Sequence, residues 1–461
     1  MRRILLSVLP HIKPSPQEML CELVFAQSLV DQVRKAAPRG CDVVLTGSVA
    51  KKTFLRDKKD VDIFVLFDRS VPHDSLEPSI ESIMKTAFPR VGYQLSYAEH
   101  PYVRFHFEGR RIDLVPAYRI SDASERLSAV DRSVLHTRFV RASLKSPMID
   151  QVLLLKSFLR ANSLYGAEIK IHGFSGYLCE LLIIKYKTFP NLVRAAPKWK
   201  IQRKSKGKNR SKGGSKSTSG PVFIDIKKYY KTRSAIRAAS ERLGALNGFV
   251  MIDPTDRDRN VAAALSPENL RRFIALCKQF LRKPSPDFFL RDPPCFETRV
   301  ARLSTVRGSH PYLITMPRPD VVDDVLWGQL QRMIKQMGEH LEDFQPKHML
   351  ADDSRHLVRL ALILGKDTLS PSLLLEGPPM EMTKHVKSFR SSHKRAKFLI
   401  KKKRLYAVVR RPVRTAEQAI QTFLNSFRSC DSHLAYPEEL FIVEKGLPKA
   451  KETPQKQRRP Q

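Results

Sequence analysis

The chain has 461 residues, room for roughly three domains at about 100–200 residues each, and carries 82 Lys+Arg against 46 Asp+Glu, a net charge of +36. That length excludes a lone binding module, and the charge excess points to a polyanionic partner such as nucleic acid. No apolar run reaches the ~18–20 residues of a membrane-spanning helix, and ILLSVL at 4–9 is shorter than a signal-peptide core of roughly 7–15 residues, so no membrane partner is expected. The six cysteines (Cys21, Cys41, Cys179, Cys277, Cys295 and Cys430) form no Cys-x-x-Cys pair and have no histidine at zinc-finger spacing. They read as buried thiols in a reducing, cytoplasmic compartment, without structural zinc.

In chain order, 4–9 reads as the edge of an N-terminal helix, and 16–37 spaces Met19, Leu20, Leu23, Val24, Leu29, Val30 and Val33 as an amphipathic helix does. Strand-like runs follow at 42–45, 61–67, 92–97, 102–108 and 111–115, the last two joined through Gly109, which predicts one compact mixed sheet. From about Ser146 the texture turns helical, with apolar faces in 149–161 and 176–189, and 268–281 following a Ser-Pro-Glu start at Ser266. The stretch 198–216 interrupts this helical domain with nine Lys/Arg in 19 residues and no acid. It holds too little apolar surface to order itself, and is expected to meet RNA phosphates through charge. After the prolines of 283–294 an α/β texture resumes, with helices expected at 320–342 and 415–427 and strands near 397–399 and 405–409; 449–461 reads as a disordered tail.

The chemistry concentrates in the first domain. Gly47-Ser48 follows the first strand, and Asp60-Val61-Asp62 heads the apolar second one. Residues i and i+2 of a strand share a face, so the two carboxylates point at one site. A third acid, Asp113, sits between apolar neighbours in RIDLVP. Three carboxylates at close range repel one another unless cations sit among them, and oxygen donors favour Mg²⁺, with substrate phosphates completing its shell. Such a site suits in-line displacement at phosphorus. Ser48 and the glycine turn would hold phosphate oxygens, with Lys51 and Lys52 adding positive charge.

The set Gly47-Ser48, Asp60-x-Asp62 and Asp113 resembles the DNA polymerase β-type nucleotidyltransferases. The segments HPYVRFHFEG (100–109), DLVPAYRI (113–120), SAVDRSVLHTRFV (128–140), LYGAEIKIHGFSGYLCELL (164–182), IDPTDRDRNVAAAL (252–265) and EGPPMEMTKHVKSF (376–389) narrow the likeness to the archaeal, class I CCA-adding tRNA nucleotidyltransferases, from about Gly40 to about Ala419. The resemblance implies an α+β multidomain chain: a nucleotidyltransferase head (1–145), a helical nucleotide- and substrate-binding domain (146–282), an α/β tRNA-binding body (283–445) and a tail (446–461). It implies that Asp60, Asp62 and Asp113 bind Mg²⁺, that Ser48 and Lys51 contact the incoming nucleotide, and that His136, Lys156 and Tyr165 line the nucleotide or triphosphate site. The partners it implies are CTP, ATP and the acceptor and TΨC arms of tRNA, with a homodimer as a further expectation. The sequence departs from the family pattern at Val49, where a larger or polar residue is common, and at Lys52, where glycine is usual.

The resemblance further implies that an arginine of the motif DRDRNVAAAL, together with the tRNA backbone, reads the base, which makes Arg259 the candidate, oriented by Asp256. One such donor site suits both cytosine and adenine, which share an amino donor beside a ring-nitrogen acceptor that uracil and guanine lack. In 384–404, ten Lys/Arg among 21 residues alternate with Phe389, His393 and Phe398, which suits contact with RNA phosphates and shape. The activity expected is addition of the 3′-terminal CCA to tRNA. Its rivals are a poly(A)- or oligoadenylate-type polymerase and a catalytically silent RNA-binding protein.

Overall fold

The computed structural model of the chain describes residues 1–97, 101–199, 222–243, 248–427, 432–434 and 442–446. Apart from Lys198 and Trp199, the basic insertion 198–216 lies outside them, as do Cys430 and the tail from 447. The chain divides into two compact units, Met1–Pro293 and Pro294–Gln461.

The first unit opens with α1 (Arg2–Ile12) and α2 (Pro16–Ala36). Ser15 starts α2 through a capping box: its hydroxyl accepts from the Glu18 N–H while the Glu18 carboxylate accepts from the Ser15 N–H, with Pro16 in the first turn. Then come β1 (Asp42–Thr46), the one-turn α3 (Gly47–Ala50), β2 (Val61–Phe67), α4 (Leu76–Ala87), β3 (Tyr93–Tyr97), β4 (Pro101–Phe107) and β5 (Arg110–Tyr118). The strands form the expected mixed sheet in the order β1-β2-β5-β4-β3, with only β2 and β5 parallel. α4 was not expected from the sequence. It forms because Leu76, Ile80, Ile83 and Met84 bury one face, while Pro78 falls in the first turn, where a missing N–H carries no penalty.

The rest of this unit holds α5 (Arg132–Ser143), α6 (Ser146–Ala161), α7 (Gly176–Tyr186), α8 (Phe189–Ala195), β6 (Val222–Ile224), α9 (Arg233–Arg242), β7 (Phe249–Asp253), β8 (Asp256–Asn260), α10 (Pro267–Arg282) and α11 (Asp287–Leu290). β6, β7 and β8 make a three-stranded sheet, which corrects the reading of 146–282 as helical. The helix expected over 176–189 breaks at Lys187, whose φ is +70°, and Thr188 caps α8. Phe158, Phe189, Phe280 and Phe289 pack ring against ring at the centre, at 5.4–5.9 Å between centroids. The unit runs past residue 282 because α11 packs back on α6: Ser157 Oγ donates to Phe289 O at 2.9 Å and Asn162 Nδ2 to Phe288 O at 3.0 Å.

The second unit contains α12 (Phe296–Ser304), β9 (His310–Pro317), α13 (Asp323–His340), β10 (Pro346–Asp353), β11 (Leu357–Leu364), β12 (Ser372–Pro379), α14 (Thr383–Ser392), β13 (Lys397–Lys401), β14 (Arg404–Arg410), α15 (Ala416–Phe427) and β15 (Ile442–Lys445). Its two antiparallel sheets run β10-β11-β9-β15 and β12-β14-β13. Of the five described cysteines, Cys179 and Cys277 are buried, but Cys21 and Cys295 are exposed and Cys41 is half-buried, so burial does not extend to all of them. Among the described residues no helix is long and apolar enough to cross a membrane.

Candidate active site

Register in the head sheet places the acids. Thr46, Asp62, Asp113 and Arg104 are successive partners across β1, β2, β5 and β4, a single row on one face. Asp60 stands two residues before Asp62 at the entry to β2. Gly47, with φ +67°, brings its backbone against Asp62 so closely that a Cβ there would lie 1.7 Å from Asp62 Oδ2.

Two of the three acids are already paired with cations. Arg104 grips Asp113 with both arms, Nε to Oδ1 at 2.8 Å and Nη2 to Oδ2 at 2.9 Å, and Arg111 Nη2 donates to Asp60 Oδ2 at 2.6 Å. Among the described residues no side chain donates to the Asp62 carboxylate; the Thr46 hydroxyl donates to its backbone carbonyl at 3.4 Å. Burial, then the charges of Asp113 and Asp60, push its carboxyl up to about 6 against the pull of Lys51 and Arg111. Held this way, no three His, Cys, Asp or Glu side chains among the described residues converge as a ready metal cage. The donor set nevertheless fits a hard divalent cation: all its oxygens are carboxylate, and Arg104, Arg111 and, at 3.7 Å, Lys58 stand beside them as stand-in cations.

Beside the acids opens a cleft of about 230 Å³, lined by Ser48, Lys51, Asp60, Asp62, Lys156 and Tyr165 together with Gly47, Thr53, Lys58, Arg111, Gly176 and Glu180. Six of the nine residues singled out in the sequence therefore share one cleft, and Asp113 adjoins it through the Asp62 register. Lys156 is not a snorkelling surface lysine. It is 2% exposed and ion-paired with the fully buried Glu180. Gly176 leaves room at the wall, since a Cβ there would meet the Tyr165 hydroxyl at 3.2 Å. Val49 is buried, and Lys52 adopts φ +58°. A left-handed conformation at a residue with a Cβ costs roughly 1–2 kcal/mol.

His136 and Arg259 meet on a different acid. Asp253, fully buried at the end of β7, accepts His136 Nε2 at 2.8 Å and Arg259 Nη1 at 2.9 Å on Oδ2, and the Tyr177 hydroxyl at 3.0 Å on Oδ1. Burial works against its ionisation, but the His136 contact, the Thr255 N–H and Arg259 outweigh it and hold the carboxyl far below the usual range. Burial lowers His136 below its ordinary value despite Asp253, so the imidazole is neutral at pH 7. Tyr177 stacks on His136 at 4.1 Å between centroids and lies 6.0 Å from Lys51 Nζ, bridging this cluster to the cleft. The expectation that Asp256 orients Arg259 is corrected: Asp256 binds Arg132 at 3.0 Å, and Asp253 holds Arg259. Arg259 lies on the strand β8.

Sequence reasoning missed Arg104, Arg111, Thr53, Tyr177, Glu180 and Asp253. A signal was available for Glu180, a lone acid in the apolar helix GYLCELLII, since a charge at a buried helix position needs a partner elsewhere.

Comparison with known families agrees with this geometry. Residues 27–136 match the nucleotidyltransferase domain, 150–290 the second domain of tRNA nucleotidyltransferases, and 307–436 the C-terminal domain of CCA-adding enzymes. The head is thus a nucleotidyltransferase, of a superfamily that works with divalent metal ions. A CCA-adding enzyme of Methanocaldococcus jannaschii is 37% identical over 346 residues, covering 73% of this chain and 71% of that one. Those of Methanothermobacter thermautotrophicus and Archaeoglobus fulgidus are 33% and 32% identical, covering 84% and 85% of this chain and 81% and 83% of theirs. The chain belongs to the CCA-adding enzyme family.

Proposed function

We infer that this protein builds or repairs the 3′-terminal CCA of tRNA from CTP and ATP, without a template and with release of pyrophosphate. The observation that carries the reading is the row Asp62–Asp113 with Asp60, set beside a basic cleft, in a chain of this family. The tRNA 3′-hydroxyl attacks the α-phosphorus, and pyrophosphate leaves. Asp60, Asp62 and Asp113 would hold the divalent cation, Mg²⁺ by the preference of hard oxygen donors, which when bound supplies Lewis-acid stabilisation of the transferring phosphoryl group. Ser48 and Lys51 bind phosphate oxygens, with Lys156 and Tyr165 on the same wall. Arg259, fixed by Asp253, donates to the base edge shared by cytosine and adenine, and the neutral His136 and Tyr177 pack alongside. Supplying tRNA that lacks CCA with one labelled nucleotide at a time tests the reading. CMP should enter at once, AMP only after two CMP, and UMP and GMP not at all. Labelling by ATP alone in long tails would favour the poly(A)-polymerase rival, and no labelling the silent RNA-binding one.

Arg259→Ala should erode discrimination against UTP and GTP more than it weakens triphosphate binding, read as kcat/KM for the four nucleotides. An equal fall for all four would return Arg259 to a structural role.

The body supplies a surface for the acceptor and TΨC arms. On α14 and β13 the Lys and Arg side chains of 384–403 are all exposed, and Phe389 and Phe398 pack edge to face beneath them at 6.5 Å. Replacing Lys384, Lys387 and Arg390 by Gln should weaken tRNA binding at low salt. It should also flatten the dependence of log K on log salt by up to about 0.9 per lost phosphate contact, by analogy with duplex DNA, while KM for CTP stays constant. An unchanged salt slope would remove this face from the interface.

A further inference from the structure

Glu180 has no part in the mechanism so far, yet it is the most deeply committed acid near the cleft. It lies within α7 between Cys179 and Leu181, fully buried, where an ionised carboxylate persists only if neutralised. Its Oε2 accepts Lys51 Nζ at 2.7 Å, and its Oε1 accepts the Thr53 hydroxyl at 2.6 Å and Lys156 Nζ at 3.4 Å. Burial opposes its ionisation, but the two ammonium groups and the hydroxyl prevail and hold it below the usual carboxylate range.

The two lysines are not equivalent. Lys156 Nζ also donates to Thr53 O at 2.8 Å and to Thr53 Oγ1 at 3.1 Å, so all three of its protons are taken up. Lys51 donates to Glu180 alone among the described residues, leaving two protons for a ligand in the cleft it lines. Two ammonium groups against one carboxylate leave a positive excess on that wall, the sign a triphosphate needs. Thr53 follows α3 in the head, whereas Lys156 and Glu180 lie on α6 and α7, so the network also fixes the distance between sheet and helices.

We propose that Glu180 is a positioning residue for the nucleotide's triphosphate: it sets Lys51 as an ammonium that contacts phosphate, and Lys156 and Thr53 hold Glu180 in place. The proposal rests on the cleft being the nucleoside triphosphate site of a CCA-adding enzyme. A double-mutant cycle tests it. KM for CTP and ATP, kcat, and the inhibition constant of pyrophosphate are measured on tRNA lacking CCA for the wild type, Lys51→Met, Glu180→Gln and the double variant. Each single substitution should raise both KM values and the pyrophosphate constant by about tenfold, with a smaller effect on kcat. The double variant should be no worse than Lys51→Met, because Glu180 acts through Lys51. Additive losses would overturn the proposal, as would a lower melting temperature for Glu180→Gln with KM and the pyrophosphate constant unmoved. If Glu180→Gln does not fold, Thr53→Val, which removes the hydroxyl shared by Glu180 and Lys156, takes its place in the cycle. If the wild type adds neither CMP nor AMP, the functional reading fails first, and calorimetric binding of pyrophosphate to the same four proteins decides the positioning role separately.

Discussion

The Asp113→Asn protein is expected to fold normally and to lose CMP and AMP addition together, by about a thousandfold or more in kcat, the several kcal/mol that metal stabilisation of a phosphoryl transition state is worth. Asparagine keeps the shape and one acceptor for Arg104, so the sheet row survives, but a neutral amide is a poor ligand for a hard divalent ion. Asp60→Asn and Asp62→Asn should behave alike. Parallel melting curves exclude unfolding as the cause. A folded Asp113→Asn protein working at the wild-type rate would show that the acids are not the metal site.

Gly47→Ala is the second large effect. The added methyl would lie 1.7 Å from Asp62 Oδ2, at a φ of +67° that glycine tolerates best. One of the two must move, and the carboxylate is the flexible partner. A shift of about 1 Å in a reacting constellation can lower the rate on the order of a hundredfold. The expected signature is a fall in kcat for both nucleotides with tRNA affinity preserved. A wild-type kcat would mean that Asp62 can turn aside without consequence, and that its observed position is not the working one.

The head was legible because its signals are local. Short apolar, β-branched and aromatic runs mark the strands, and the Asp-x-Asp spacing at the entry to β2 brings two carboxylates to one place. β5 runs on to Tyr118 instead of stopping at Val115 because β2 pairs with it as far as Phe67–Tyr118, although its pairing with β4 ends at the Leu114–Val103 step. Pro116, with no N–H to give, falls where only β2 flanks the strand. The β6–β8 sheet was illegible for the opposite reason. β8 reads DRDRN, with no apolar alternation; its buried ends are Asp256 and Asn260, satisfied by Arg132 and by the Met251 N–H. Hydropathy cannot reveal a strand stabilised by polar contacts, so β8 went unread and Asp253 was missed as the acid that holds Arg259. Asp253 and Glu180 were missed because each gathers partners from several elements: Arg259 lies six residues from Asp253 but His136 117, and Lys156 lies 24 from Glu180 but Lys51 129. No spacing rule reaches so far.

The most direct test of the central claim is to sequence the 3′ ends formed when the protein, a divalent metal ion and all four nucleoside triphosphates act on tRNA transcripts ending at the discriminator base. The account predicts molecules extended by C, C and A that then stop growing, with those already ending in CC receiving a single A. Homopolymeric A tails, incorporation of U or G, or ends left unchanged by a well-folded protein would contradict it.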